Sequence, residues 1–324
     1  MADFDVFNGD ADGLCAVHQL RLAEPRRAEL ITGVKRDVRL LSRVQAQAGD
    51  NVAVFDVSLA QNCADLQRLL TRGVHVRYFD HHFAGDIPVH PLLEPHIDTD
   101  ADVCTSSIVD RLLQGRFRAW AVTAAFGDNL QNTACELAKP LGLSDGDLGQ
   151  LRMLGECLNY NSYGESEADL YYPPAVLYRS MAPFRDPLAF VAERPEVDCL
   201  DTGMREDLDR ARRTEPTSTW SGGEAYVLPS VAWCRRVAGT FANVLAREEP
   251  SVMHAVLAPR RAGGYTVSVR MAEHASLTAE QLCREFPTGG GRVRAAGINE
   301  LPEQELQPFL ARLRAITERE NRGR

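Results

Sequence analysis

Four short segments carry carboxylates or imidazoles directly after apolar runs. The first is Asn8-Gly9-Asp10-Ala11-Asp12-Gly13, after Phe4 to Phe7. The second is Asp56-Val57-Ser58, the third Asp80-His81-His82, and the fourth Gly127-Asp128-Asn129, after Ala121 to Phe126. Two carboxylates one residue apart, just beyond a buried strand, can face a shared site, and the glycines allow a tight turn there. If the four segments meet at one end of a sheet, five carboxylates and two imidazoles occupy a small volume. That much negative charge without a counter-ion is strongly unfavourable, and divalent metals resolve the conflict. Oxygen-rich ligation with one or two histidines suits Mn²⁺ or Mg²⁺ better than a thiolate-rich zinc site. Two such ions about 3.5–4 Å apart activate a bridging water and stabilise the charge of phosphoryl transfer. Taken singly, Asp10 to Gly13 is equally a loop and helix N-cap, and Asp80-His81-His82 a solvated turn. The specificity lies in the constellation.

The elements that must position these groups follow from the apolar patterning. Phe4 to Phe7, Ala28 to Val34, Val52 to Val57 and Val74 to Phe79 read as strands. Gly13 to Leu22, Val38 to Gln47 and Ala60 to Leu70 read as the helices between them. This alternation implies a largely parallel sheet with helices on its faces, whose ligands sit beyond the carboxyl ends of the strands. Ser106 to Leu113, Trp120 to Phe126, Leu148 to Leu158 and Ala175 to Met181 have helical spacing. Asp198 to Arg213 reads as a solvated helix leading into a linker. Beyond it, strands at Glu224 to Leu228, Met253 to Ala258 and Tyr265 to Arg270 alternate with helices at Trp233 to Arg247, Thr278 to Phe286 and Pro302 to Glu318. They form a second, smaller α/β domain.

Composition narrows the partners. The chain has 324 residues and a formal net charge of −9, which argues against a protein that coats duplex nucleic acid. Lys35 and Lys139 are the only lysines among 36 basic residues, so a phosphate contact from a basic side chain is expected to use a guanidinium fork. No apolar run reaches the length of a membrane span, and no secretory leader pattern opens the chain. The eight cysteines form no C-x-x-C pair and read as buried reduced thiols of a cytoplasmic protein. His18, on the first helix, reads as a packed or exposed residue rather than a ligand.

In order and spacing, Asp10-x-Asp12-Gly13, Asp56, Asp80-His81-His82 and Gly127-Asp128 resemble the four motifs of the DHH phosphoesterases. Val267 to Arg270, the helix at Thr278 to Phe286, and Gly289-Gly290-Gly291-Arg292 through Gly297 resemble the DHHA1 domain that accompanies them. The resemblance implies a parallel-sheet DHH domain with a helical extension at residues 1–190, a helical linker at 191–220 and a DHHA1 substrate domain at 221–324. It implies two Mn²⁺ per chain, with Mg²⁺ as a substitute. Asp10 and Asp56 would hold one ion; Asp12, Asp56, His81 and Asp128 would hold the other. His82 would face the substrate phosphate, Asp80 would orient a histidine, and the water between the metals would be the nucleophile.

Two departures stand out. Asn8 replaces the family's usual His or Asp and is either a weak neutral ligand or a loop cap. Arg292 replaces the usual His after the glycine run, where it could grip a terminal phosphate or stack on a base. Thr105 and Ser106 are candidates for a substrate-side role.

These features point to a Mn²⁺-dependent phosphoesterase whose smaller domain holds the far part of the substrate through Arg270 and the Gly289–Gly297 loop. The expected substrate is short: an oligonucleotide of a few residues, a linear dinucleotide or a 3′,5′-bisphosphate nucleotide. No membrane or long duplex partner is expected, and a homodimer is compatible with the sequence. The alternatives are a RecJ-like single-strand exonuclease and a nucleotide-binding regulatory module with weakened catalysis.

Overall fold

A computed structural model of the chain describes residues 1–273, 275 and 277–322. The chain divides into two compact units, Met1–Thr202 and Gly203–Arg324.

The first unit opens with β1 (Asp3–Asn8), α1 (Ala11–Ala23), β2 (Glu29–Gly33), β3 (Asn51–Phe55), α2 (Leu59–Thr71), β4 (His75–Asp80) and β5 (Leu93–Ile97). The five strands are all parallel, in the order β2-β1-β3-β4-β5. The inner residues of β1 and β3 are buried without alternation, as expected of parallel strands covered on both faces. On one face, Val6, Val54 and Tyr78 pack against Leu59 and Leu66 of α2, which buries apolar residues at helical spacing. Helix α1 is buried continuously from Ala11 to Leu20, so it is packed on all sides.

The chain runs from β1 outward to β2 and then returns to β3 on the other side of β1. That reversal opens a crevice beyond the carboxyl ends of β1 and β3. Register puts the ends level: Phe7 pairs with Phe55, and Phe55 with Phe79. The next residues are therefore Asn8, Asp56 and Asp80, side by side.

Helices α3 (Thr105–Leu112), α4 (Arg118–Gly127), α5 (Gln131–Ala138), α6 (Asp145–Tyr160), α7 (Pro174–Met181) and α8 (Pro187–Glu193) follow. The division between the units falls inside α9 (Pro195–Arg212). That helix is less solvated than its charge suggested: Val197, Leu200, Asp207 and Ala211 are buried, with Asp207 bonded to Arg236.

Several expected elements differ. Val38 to Gln47 holds only a short 3₁₀ turn, Leu40–Arg43. Its apolar side chains enter the core, while Arg68 donates to the Leu41 and Val44 carbonyls that a helix would have used internally. Strand β5 carries no apolar run to mark it, because Leu-Glu-Pro-His-Ile is an exposed edge that tolerates proline. Asp128 follows a helix, α4, as the spacing from Trp120 to Phe126 implied, and so is not a strand-end residue. Five of the eight cysteines are buried, Cys63 and Cys199 are half-buried and Cys135 is exposed; none is in a disulfide.

The second unit contains β6 (Ser218–Trp220), β7 (Gly223–Val227), α10 (Ala232–Glu248), β8 (Met253–Pro259), β9 (Tyr265–Arg270), α11 (Ala279–Cys283), β10 (Gly289–Gly291), β11 (Ala295–Leu301) and α12 (Leu306–Arg322). Its sheet runs β10-β11-β9-β8-β7-β6, antiparallel except where α10 links the parallel pair β7 and β8. Alternate residues of β8 face opposite cores: Ala255 and Leu257 pack with α11 and α12, Val256 and Ala258 with α10. The glycine run expected as a loop is the edge strand β10, paired with β11.

Candidate metal centre

Three helix N-termini converge on the carboxyl end of the first sheet, and each engages an aspartate. Asp10 caps α1, its Oδ1 accepting from the amides of Asp12 and Gly13 at 3.1 Å each. Asp12, on the first turn of α1, accepts the amides of Thr105 and Ser106 at 2.7 Å each. Asp80 accepts the amide of Leu59, where α2 begins, at 3.2 Å. Backbone amides and the positive end of a helix dipole favour a buried carboxylate. These bonds use the backbone of Thr105 and Ser106 to fix Asp12. The Thr105 hydroxyl in turn donates to Asp56 at 3.3 Å.

Glycine serves close approach here, not turn conformation. A Cβ at Gly13 would lie 2.2 Å from the Asn8 carbonyl oxygen. Neither Gly9 nor Gly13 has positive φ, contrary to the tight-turn expectation. It is Asp56 that has left-handed backbone, at φ 57°. This uncommon conformation for a non-glycine residue turns its carboxylate in toward the cluster.

His81 stands at the centre. Its Nδ1 lies 2.8 Å from the Val103 carbonyl. Its Nε2 is 3.4 Å from Asp56, 3.7 Å from Asp128 and 4.0 Å from Asp12. A ring that donates Nδ1–H to a carbonyl presents an Nε2 lone pair, the arrangement of a ligating histidine. His82 is fixed differently: Asp80 Oδ1 meets its Nδ1 at 2.7 Å and its backbone amide at 3.2 Å. Of the two histidines, it is His82 that Asp80 contacts. The His82 side chain is 44% exposed at the mouth, next to the exposed ring of Phe83.

Lys35, just beyond β2, enters the cluster unexpectedly. Its Nζ is 2.5 Å from Asp10 Oδ2, 3.1 Å from Asn159 Oδ1 and 3.6 Å from Asp128. The only sequence signal was its rarity. Asp10, Lys35, Asp56, His81, His82 and Asp128 line a pocket of about 110 Å³ that also includes Asn8, whose buried Oδ1 has no hydrogen-bond partner. A larger hollow of about 260 Å³ reaches Asp3, Arg21, Arg26 and Arg77. Its arginines are paired, Arg21 with Asp5, Arg26 with Asp3 and Arg77 with Glu24.

The charges are unevenly compensated. Burial would raise the Asp10 carboxyl, but the Lys35 charge and hydrogen bond bring it below the usual range. Burial, then the charges of Asp10, Asp12 and Asp128, pushes Asp56 well up. Burial raises Asp128 to about 6; Lys35 opposes this, and Asp12 and Asp10 add to it. Burial works against protonated His82, yet the bond and charge of Asp80 raise its affinity for a proton. Asp56, buried, and Asp128, half-buried, are thus acids in need of positive charge.

Asp12, His81 and Asp128 can each offer a ligand atom within 4.8 Å of the others, with Asp56 beside the same His81 nitrogen. Oxygen and imidazole donors of this kind fit a divalent cation. A second set is Asp56, His81 and His82, in which His82 Nδ1, 3.7 Å from Asp56, is already engaged by Asp80.

The predicted residues of the second unit do not gather in the same way. Arg270 donates to Asn243 at 2.7 Å and to the carbonyls of Val269 and Gly239 at 2.9 and 3.3 Å. Gly289, Gly290 and Gly291 pair with Ile298, Gly297 and Ala296. Arg292 is exposed beyond them.

Fold and cluster together define an α/β chain with a carboxylate–imidazole centre at a sheet switch point. No family model and no curated protein matches the sequence. Among solved structures, the chain is similar to exonuclease RecJ bound to manganese, with a TM-score of 0.66 and 18% identity over 98% of this chain and 90% of that one. It is similar to RecJ from Thermus thermophilus in complex with Mn²⁺, with a TM-score of 0.60 and 17% identity over 98% of this chain and 52% of that one. A pGpG-specific phosphodiesterase, PggH from Vibrio cholerae, aligns with a TM-score of 0.56 and 12% identity over 98% of this chain and 99% of the other. The chain has the fold of these proteins, as the motif resemblance implied. No helix among the described residues is long and apolar enough to cross a membrane.

Proposed function

We propose that the chain is a divalent-metal-dependent phosphoesterase of the DHH type that hydrolyses a short nucleotide substrate. The observation carrying this reading is the convergence of Asp12, Asp56, Asp128 and His81 Nε2 at the crevice where ligands of such sheets bind. The fold shared with RecJ and PggH supports it. In this reading Asp12, Asp56, His81 and Asp128 hold the cation. When bound, it supplies Lewis acidity and lowers the pKa of water. The amides of Thr105 and Ser106 hold Asp12 in place, and Asp80 fixes the His82 ring. That leaves His82 Nε2 to hydrogen-bond a phosphate oxygen or pass a proton to the leaving group.

A linear dinucleotide such as pGpG, a short oligonucleotide or a bisphosphorylated nucleoside fits an acidic chain better than a long strand. Exposed Phe83 offers a stacking surface for a base beside His82. Arg292 is an exposed candidate for a distal phosphate, whereas Arg270 is engaged within its own unit.

The test is a Mn²⁺-supported substrate panel with product analysis. We expect mononucleotide or phosphate release from at least one short substrate, declining beyond a few nucleotides. Asp128→Asn should lower the rate by about 10²-fold or more through loss of a ligand charge. No release from any short substrate would refute the proposal.

A further inference from the structure

We infer that Lys35 takes the place of one metal ion, so that the centre is built for a single divalent cation beside a fixed ammonium. This deepens the metal-dependent reading above and rests on it. Both Asp10 oxygens are engaged: Oδ1 accepts two amides of α1, and Oδ2 meets Lys35 Nζ at 2.5 Å. The ammonium is not held by Asp10 alone. The Lys35 amide donates to the Ser162 carbonyl at 3.0 Å, and Nζ reaches Asn159 Oδ1 at 3.1 Å. Asn159 is itself steadied by the Tyr163 hydroxyl at 3.2 Å, and the Tyr163 ring lies 5.8 Å from Nζ. These contacts run to the end of α6 and the turn after it, so they place the lysine independently of the carboxylates.

What is left for a second ion is poor. Asn8 offers a neutral amide oxygen, and Asp56 already stands beside His81. A neutral amide and one shared carboxylate are weak competition for an ammonium in a charge-assisted hydrogen bond. Neither clustered set of carboxylate and imidazole donors includes Asp10, and both include His81. The donors therefore describe one cation site around His81, with Lys35 supplying a singly charged, redox-inert substitute on the Asp10 side. Asn8 Oδ1 is then an acceptor for a donor group on the ligand or its attacking water.

Manganese binding to the metal-stripped full chain tests this, with stoichiometry by elemental analysis and coupling by electron paramagnetic resonance. We expect saturation at one Mn²⁺ per chain with an uncoupled six-line signal. The double variant Asn8→His, Lys35→Met should take up two and show exchange coupling. Thermal unfolding of both proteins checks that the variant is folded. Lys35→Met alone should lower kcat by about 10²-fold while retaining the first Mn²⁺. Two coupled ions in the unaltered chain would overturn the single-ion inference and leave the metalloenzyme reading standing. No bound Mn²⁺ would overturn both. A folded double variant that stays at one ion would show that Lys35 is not what excludes the second.

Discussion

At the scale of single residues, Asp80 gives the sharpest separation between holding a metal and guiding a proton. Its carboxylate receives His82 Nδ1 and the amides of His82 and Leu59. It is not a member of the Asp12–His81–Asp128 set. Asp80→Asn removes the anion that selects the His82 tautomer. An equivalent change in a hydrolase triad costs about 10⁴ in kcat; we expect a loss of about 10²-fold or more here, with manganese stoichiometry unchanged. Loss of the metal together with activity would place Asp80 in the cation site instead. Most of the residues at the centre were legible in the sequence because carboxylates and imidazoles after apolar runs carry their chemistry in their type. Lys35 was not, since a lysine after a strand is usually a solvated charge. Its partners, Asn159 and Tyr163, lie far along the chain in a segment with no motif. The amides that fix Asp12 were invisible for a simpler reason: a backbone group has no letter of its own.

At the scale of elements, the strand ends could be read because parallel strands buried on both faces write continuous apolar runs. Asp128 was harder. The run before it reads as a helix by its spacing and is one, α4, so its place is set by helix crossings that no local pattern encodes. A Cβ on Gly155 of α6 would fall 2.2 Å from the Thr123 carbonyl oxygen and 2.9 Å from the Gly127 amide nitrogen. Those neighbours are backbone and cannot swing aside. Gly155→Ala should push α4 outward, costing about 1–3 kcal/mol of stability. By moving Asp128, it should weaken Mn²⁺ binding by about 10-fold or more. A variant of lowered melting temperature but unaltered Mn²⁺ affinity would separate the crossing from the site. Helix α1 supplies a second test. His18 is buried, with Nε2 2.8 Å from the Phe184 carbonyl and its ring edge-on to Trp120. Burial lowers its pKa from 6.5 to about 4, the Phe184 bond opposing. A histidine depressed in the folded state is neutral there and binds its proton more readily when unfolded. Its contribution is intact above pH 6.5 and is lost as pH falls toward about 4, by roughly 3 kcal/mol in all. Urea unfolding across that window should show this slope, and His18→Gln should flatten it.

At the scale of the whole molecule, the net charge of −9 sets what the centre can attract. Nucleases that track long strands neutralise many phosphates, and their affinity falls steeply with salt. For single strands the slope of log affinity against log salt is about −0.7 per phosphate neutralised. A substrate with two or three phosphates, gripped mainly at one centre, predicts a slope of about −2 or shallower. A groove engaging roughly 6–10 phosphates predicts about −4 to −7. The remaining negative surface repels a long strand beyond its first few nucleotides, so added length should contribute little binding and some repulsion. We therefore expect 1/KM for a linear dinucleotide at saturating Mn²⁺ to follow the shallow line. The measurement spans roughly 20 to 200 mM salt, over which the screening length falls about threefold. A strand of about 20 nucleotides should be cleaved more slowly at every salt concentration, with its disadvantage shrinking as salt screens the repulsion. A steep slope together with a preference for the longer strand would favour the single-strand exonuclease reading. It would also require a basic track that the net charge conceals.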